Sequence, residues 1–144
     1  MIPLFPKFKG LDLDDRKKIE KITIQYPPYS DFNFVSLWSY DVDRKTQISI
    51  LNENLVVKFL DYFGVESFYS FIGTTKVKET TNILLSHAQT GKISKKLVLI
   101  PETTIASDPK IFNSFRIEED KNNFDYILSI NEITKLVGNK YGAK

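Results

Sequence analysis

Two apolar segments separated by a short polar turn constrain the fold most. The segments "TQISIL" (residues 46–51) and "LVVKFLDY" (residues 55–62) flank Asn52-Glu53-Asn54. Both are rich in β-branched and aromatic residues, which favour β-strands. Asn tolerates the left-handed backbone conformation that short hairpin turns require. The pattern therefore predicts two strands joined as a hairpin.

The segments around this hairpin predict further strands. "LFPKF" (residues 4–8) is a short first strand at a sheet edge, because Pro6 lacks a backbone donor. "SFYSFI" (residues 67–72) follows the hairpin as a third strand of that run and ends at Gly73. "KLVLI" is apolar on both faces, which is typical of a central strand covered on both sides. Two later strands are predicted in "FRIEE" and "FDYIL".

Helices are predicted between these strands. Asp12 can cap a first helix that Pro27 and Pro28 end, and Ser30 or Asp31 can cap a second. The longest helix covers residues 74–89 and ends at Gly91. A short helix begins at Pro101. A capping box at residues 129–132 begins a last helix, which Gly138 ends.

The element order and the composition indicate one domain of the α/β (α+β) class over residues 1–144. The 144 residues are 42% hydrophobic, enough for a sizeable core. Helices spaced in this way are expected to cover both faces of a mixed central sheet. This order resembles the GNAT acyltransferase fold.

Composition also limits the chemistry. The chain has no cysteine, which excludes disulfides and thiolate metal sites, and it has a single histidine. A net charge of +2 does not by itself indicate a nucleic-acid partner. The start "MIPLFPKFKG" lacks the apolar run of a signal peptide, and no apolar run approaches the roughly 18 residues of a membrane span. The sequence is typical of a soluble, cytoplasmic protein.

The stretch "YPPYSDFNFVSLWSYD" (residues 26–41) concentrates aromatic side chains and includes the chain's one tryptophan. Phe34, Leu37 and Trp38 have helical spacing and are predicted to be core. The loop around the two prolines has no evident need for aromatic packing. Its side chains are candidates for the wall of a substrate cleft or for a partner surface: Tyr26, Tyr29, Asp31 and Phe32.

An acidic cluster lies near the C-terminal end, formed by Glu118, Glu119, Asp120 and Asp125. It does not follow the calcium-loop pattern, because counting from Asp120 gives Phe124 at the fifth position and no glycine follows. One interpretation is solvated charge at a strand end. The other is the polar edge of a site, with Asp125 beside Tyr126.

His87 lies on the long helix, on the face that is expected to meet the sheet. A partly buried, hydrogen-bonded histidine is one interpretation. A general base is the other, because the ordinary pKa of histidine suits proton transfer near neutral pH.

Four motifs in order make the family resemblance specific. They are "YPPYSDFNFVSLWSYD", "LVLIPE", "FRIEEDKNNFDYILS" and "ITKLVGNKYGAK". Together they resemble an uncharacterised family grouped with the C-terminal domain of phosphatidylglycerol lysyltransferase. Members are similar to tandem proteins with two GNAT-like halves, related to enzymes that move an aminoacyl group from aminoacyl-tRNA. This chain resembles the N-terminal half.

The resemblance implies an acyltransferase-related domain that needs a second half for catalysis, with aminoacyl-tRNA as an implied partner. No catalytic residue is assigned. GNAT enzymes that use acetyl-CoA hold its pyrophosphate on a glycine-rich turn, but in "SFIGTT" only Gly73 matches that pattern. We therefore expect no bound cofactor and no metal.

A second functional class stays open beside the acyltransferase interpretation, namely a non-enzymatic binding or assembly module. The expected partner is a second GNAT-like half or a second copy of the chain. The loop of residues 26–32 and the tail around Tyr141 are the candidate surfaces for that partner.

Overall fold

The computed structural model describes residues 1–60 and 66–135. It contains these strands: β1 Lys9–Gly10, β2 Gln47–Leu51, β3 Asn54–Leu60, β4 Ser67–Ile72 and β5 Ile93–Leu97. The α-helices are α1 Arg16–Thr23, α2 Phe34–Ser39, α3 Val77–Gln89, α4 Glu102–Ala106 and α5 Ile130–Lys135. Short 3-10 turns lie at Leu13–Asp15, Ser30–Phe32, Pro109–Asn113 and Lys121–Asn123. None of the described helices is long and apolar enough to cross a membrane.

The five described strands form one mixed sheet in the order β1-β2-β3-β4-β5. Neighbours from β1 to β4 are antiparallel, and β5 pairs parallel to β4 after the crossover through α3. The predicted hairpin is confirmed: Asn52 and Glu53 adopt φ values of 49° and 65° in the turn between β2 and β3. Positive φ at both positions matches the twist of the two strands.

Each face of the sheet carries its own core. Leu55 and Val57 point to the face covered by α1 and α2, where they join a cluster with Ile19 and Phe34. Val56, between them, points to the opposite face. There the buried side chains of β4 and α3 pack together with Ile111: Tyr69, Phe71, Val77, Leu84 and Ala88. The prediction of a mixed sheet with helices on both faces is therefore confirmed.

The predicted cap Asp12 acts on the 3-10 turn Leu13–Asp15 that leads directly into α1, whereas the predicted cap of the second helix differs from the observed one. The Asp12 side chain accepts the Asp14 N–H, and Asp12 and Asp15 form a reciprocal capping box. At α2 the cap is Asn33, whose side chain accepts the Val35 N–H. The predicted caps, Ser30 and Asp31, lie instead in the preceding 3-10 turn, so that detail was wrong.

The prediction that "KLVLI" is a central strand is wrong. β5 ends at Leu97, and within residues 1–60 and 66–135 no strand lies beyond it. Val98 N–H still donates to Tyr69 C=O at 3.2 Å, but Leu99 takes φ 59°, which interrupts the extended backbone of the strand. Leu97 and Ile100 pack against the α3-side core. Half-buried packing at the edge of the sheet thus explains the apolar residues of "KLVLI". The central strand of the described sheet is β3.

The strand predictions at both ends of the chain also need correction. The first strand is Lys9–Gly10, whereas Leu4 makes an isolated bridge with Ile50; the predicted edge position is right. Residues 115–119 and 124–128, predicted as strands, form none. Alternation in residues 115–119 and the apolar residues of 124–128 suit a strand, but no neighbouring strand pairs with either segment in the described part of the chain. The predicted stop at Gly138 lies outside the described residues.

Candidate functional site

Tyr29 joins the loop after Pro28 to helix α4. Its hydroxyl donates to Thr103 Oγ1 at 3.1 Å and accepts the Thr103 N–H at 3.4 Å. Thr103 lies in the first turn of α4, where backbone N–H groups have no partner within the helix. The tyrosine therefore supplies an acceptor to the start of α4 and holds the aromatic loop against it.

Two carboxylates far apart in the sequence meet beside this contact. Asp125 Oδ2 accepts the Ser30 N–H at 3.1 Å, which places Asp125 next to Asp31. Burial raises the pKa of Asp31, and the negative charge of Asp125 adds to that shift. The structure thus brings together Asp31 and Asp125, two of the residues predicted to form the site.

The other predicted site residues are placed differently. Tyr26 is half-buried and packs against the α1–α2 core. Phe32 is 1% exposed, so it is a core residue and cannot offer its ring to a partner; that assignment is corrected. Tyr126 is 98% exposed. Tyr141 lies outside the described residues.

The Asp31–Asp125 pair can bind a cation or hold a proton. Two neighbouring carboxylates attract an ammonium group, and the one with the raised pKa takes up a proton most readily. A metal site is not indicated, since no group of three or more His, Asp or Glu side chains with suitable placement occurs among the described residues. The arrangement suits recognition of an amine at the surface.

We expect Asp31→Asn to raise stability at neutral pH and to have no effect in acid. Below the ordinary pKa of Asp the carboxyl is neutral in both folded and unfolded chains. As pH rises above that value, the unfolded chain ionises first, so the wild type loses stability up to the raised folded pKa. Urea unfolding of both proteins between acid and neutral pH measures this difference.

Asp125→Asn is the matched control for that experiment. It keeps an oxygen that can accept the Ser30 N–H but removes the charge. We expect it to reduce the pH dependence only in part, because burial is the larger cause of the Asp31 shift. Equal stability profiles for wild type and Asp31→Asn would contradict the assignment.

The turn between β4 and α3 is held by three side chains. Thr104 Oγ1 accepts the Gly73 N–H at 3.4 Å, and Asn54 Oδ1 accepts the Thr75 N–H at 3.2 Å. Asp108 Oδ2 accepts the Lys78 N–H at 3.4 Å in the first turn of α3. Backbone N–H groups at the start of a helix can bind an anion when no protein side chain accepts their hydrogen bonds.

An open depression of about 420 Å³ lies beside this turn. Lys76 and Lys78 line it, but so do Glu79 and Asp108. Lys76 Nζ is also paired with Glu79 at 3.4 Å. The depression is therefore not strongly basic, and it is lined by none of the residues of the Asp31–Asp125 pair.

His87 is held inside the domain by a hydrogen bond and by aromatic packing. Its Nδ1 is 3.0 Å from the hydroxyl of Tyr69, and its ring meets Phe5 edge-on at 5.0 Å between centroids. Tyr69 is buried, and burial raises its pKa to about 12. The hydroxyl is therefore neutral near pH 7, and the interpretation of His87 as a partly buried, hydrogen-bonded residue is confirmed.

The sequence analysis did not identify three residues that hold the Tyr29 contact and the β4–α3 turn, namely Thr103, Asn54 and Asp108. Asp108 precedes Pro109, a pattern typical of a helix cap, so that position could have been found. Thr103 and Asn54 act across long sequence separations, and no local signal marks them.

Neither a family model nor a curated protein matches the sequence. A solved structure does match: the crystal structure of a conserved protein of unknown function from Bacteroides thetaiotaomicron VPI-5482, with a TM-score of 0.74 and 26% identity. The two chains share a fold. The match covers 98% of this chain and 47% of the Bacteroides chain, so this chain spans about half the length of that neighbour.

Proposed function

We propose that the chain is a GNAT-like domain of an acyl- or aminoacyltransferase-related protein and is not catalytic alone. The topology supports this proposal. Antiparallel β2, β3 and β4 are followed by α3 and by β5 parallel to β4, with a tight turn at Gly73 between β4 and α3. The sequence predicted three strands, a long helix and a further strand in this order, although that further strand lies at the edge of the described sheet.

The proposal that the domain does not use acetyl-CoA is supported by the backbone N–H groups around the β4–α3 turn, which already donate to side chains. A GNAT domain that uses acetyl-CoA needs free N–H groups at the start of the helix after its fourth strand. Here Thr104 and Asn54 accept the N–H groups of Gly73 and Thr75 in the turn before α3, and Asp108 accepts the N–H of Lys78 in the first turn of the helix. The Asp108 carboxylate would also repel a pyrophosphate. The domain is therefore proposed not to bind acetyl-CoA.

We expect calorimetric titration of the 144-residue chain with acetyl-CoA to show no micromolar binding. An acetyl-CoA-dependent acetyltransferase titrated in parallel is the positive control. Asp108→Asn removes the charge but keeps an acceptor for Lys78 N–H, so it is expected to give no binding either. Micromolar binding by the wild type, weakened by added pyrophosphate, would overturn this part of the proposal.

The substrate-facing part of the proposal rests on the Asp31–Asp125 pair. An aminoacyl group carries an ammonium, which a pair of carboxylates beside a half-buried tyrosine can bind. Filter retention of labelled aminoacyl-tRNA tests this role. The proposal expects aminoacylated tRNA to compete better than deacylated tRNA, and Asp31→Asn to remove that preference.

A non-enzymatic binding or assembly module is the second candidate function. The exposed apolar residues near Tyr126 favour it, because they suit a protein partner better than a small substrate. A module would show no difference between aminoacylated and deacylated tRNA. It would still associate through these residues.

A further inference from the structure

Helix α4 contacts two separate parts of the molecule through neighbouring residues. Thr103 Oγ1 accepts the Tyr29 hydroxyl at 3.1 Å, and the Thr103 N–H donates to the same hydroxyl oxygen at 3.4 Å. Thr104, which is fully buried, accepts the Gly73 N–H on its Oγ1 at 3.4 Å. One residue of α4 therefore holds the loop that carries Asp31, and the next residue holds the turn between β4 and α3.

The hydrogen bonds of α4 keep these two contacts at a fixed separation. Pro101 C=O accepts the Thr104 N–H at 3.0 Å and the Ile105 N–H at 3.2 Å. Ser107 N–H donates to Thr103 C=O at 3.2 Å, and Ser107 Oγ donates to Thr104 C=O at 2.7 Å. Neighbouring residues of a helix point in directions about 100° apart, so the two threonines face different parts of the domain. A displacement of Thr103 therefore also displaces Thr104.

The backbone N–H groups around the β4–α3 turn do not all depend on α4. Those of Gly73 and Lys78 do, because they donate to Thr104 and to Asp108, which follows α4. The Thr75 N–H donates instead to a side chain of β3, the buried Asn54. The turn thus contains its own reference: one N–H that is held by the sheet between two that are held by the α4 region.

On the other side of α4, Tyr29 lies directly before the acidic pair. The Ser30 N–H donates to Asp125 Oδ2 at 3.1 Å, and Asp31 follows. The Tyr29 hydroxyl thus fixes the backbone immediately before the two carboxylates. A change in the position of that backbone reaches Thr103 through the hydroxyl.

We propose that α4 couples the loop of residues 29–31 to the β4–α3 turn, so that a displacement of either one displaces the other. The coupling is reciprocal, since the same hydrogen bonds act in both directions. In the proposed transferase, a ligand bound at the Asp31–Asp125 pair therefore alters the β4–α3 turn. That consequence rests on the proposed function, whereas the coupling itself needs no ligand.

Amide hydrogen exchange, followed by NMR on the isotope-labelled chain, tests the coupling. Tyr29→Phe removes the hydroxyl and keeps the ring. We expect the Gly73 and Lys78 N–H groups to exchange about threefold to tenfold faster, the effect of one lost hydrogen bond. The Thr75 N–H is expected to change by less than about twofold. The Val57 N–H in the central strand reports global stability and is expected to stay unchanged.

Thr104→Val tests the reverse direction and is expected to speed exchange of the Thr103 N–H. Thr104→Ser keeps the hydroxyl and is expected to leave that rate near the wild-type value. If Thr104→Val does not fold, the Tyr29→Phe result decides. Tyr40→Phe is the matched control, because Tyr40 is 85% exposed, and it is expected to leave exchange at Gly73 unchanged.

Unchanged exchange at Gly73 and Lys78 in Tyr29→Phe would overturn the proposal. An equal acceleration at Val57 would also overturn it, because the hydroxyl would then stabilise the whole domain rather than the turn. The tRNA experiment is read separately. If aminoacylated tRNA has no advantage while the exchange rates change as expected, the proposed substrate is wrong and the coupling stands.

Discussion

Replacing Gly73 with alanine is expected to destabilise the fold by roughly 2–4 kcal/mol. Gly73 has φ +148°, a conformation that residues with a Cβ rarely adopt. A Cβ at this position would lie 2.0 Å from Asn54 Oδ1. Asn54 cannot easily move away, because it is fully buried and its Nδ2 donates to Thr75 C=O at 2.7 Å and to Thr80 Oγ1 at 3.0 Å.

Urea unfolding of Gly73→Ala measures this loss. Gly10→Ala is the matched control, since a Cβ on Gly10 meets nothing within 4 Å. The control is expected to change stability by less than about 1 kcal/mol. Asn54→Ala combined with Gly73→Ala should cost less than the two single changes added together, because the clash is removed. A stable Gly73→Ala protein would contradict the described geometry of the turn.

Replacing Phe71 with alanine is expected to cost about 3–5 kcal/mol, a large part of the stability of an ordinary domain. Phe71 lies in β4, its exposed fraction is 0%, and it packs in the α3-side core. Removing the ring forfeits its burial and leaves a cavity between the sheet and α3. The surroundings cannot collapse freely, because Val56 and Leu84 are themselves fully buried there.

Denaturant unfolding followed by circular dichroism and by tryptophan fluorescence tests this prediction. Trp38 packs against the opposite core, so its fluorescence reports whether loss of Phe71 also weakens the α1–α2 side. Coincident transitions at lower denaturant are expected if both cores unfold together. Val42→Ala, at an exposed site, should change stability by no more than about 0.5 kcal/mol. A similar small effect for Phe71→Ala would contradict its place in the core.

Features that depend on neighbouring residues could be predicted from the sequence. The β2–β3 hairpin follows from turn residues that accept positive φ, and Asp12, predicted as a cap, caps the 3-10 turn that leads into the first helix. The long helix α3 and the strand before Gly73 were likewise predicted. The order of helices and strands predicted that helices would cover both faces of the sheet.

The candidate site could be predicted only in part. The sequence pointed to Asp31 and to Asp125, but nothing local shows that they meet across 94 positions, beside the Ser30 N–H that Asp125 accepts. Phe32 shows the converse error. Its loop position after two prolines suggested a surface role, whereas its ring fills the α1–α2 core.

The sequence by itself determined where most helices and strands form, because caps, turns and periodicity act over a few residues. Among the described residues, tertiary structure alone decided the sheet order, the edge position of β5 and the lack of strand pairing at residues 115–119 and 124–128. An apolar alternating segment has the same local preference whether or not a neighbouring strand is available. Its backbone becomes a strand only when another chain segment supplies the hydrogen bonds, and that depends on contacts far away in the sequence.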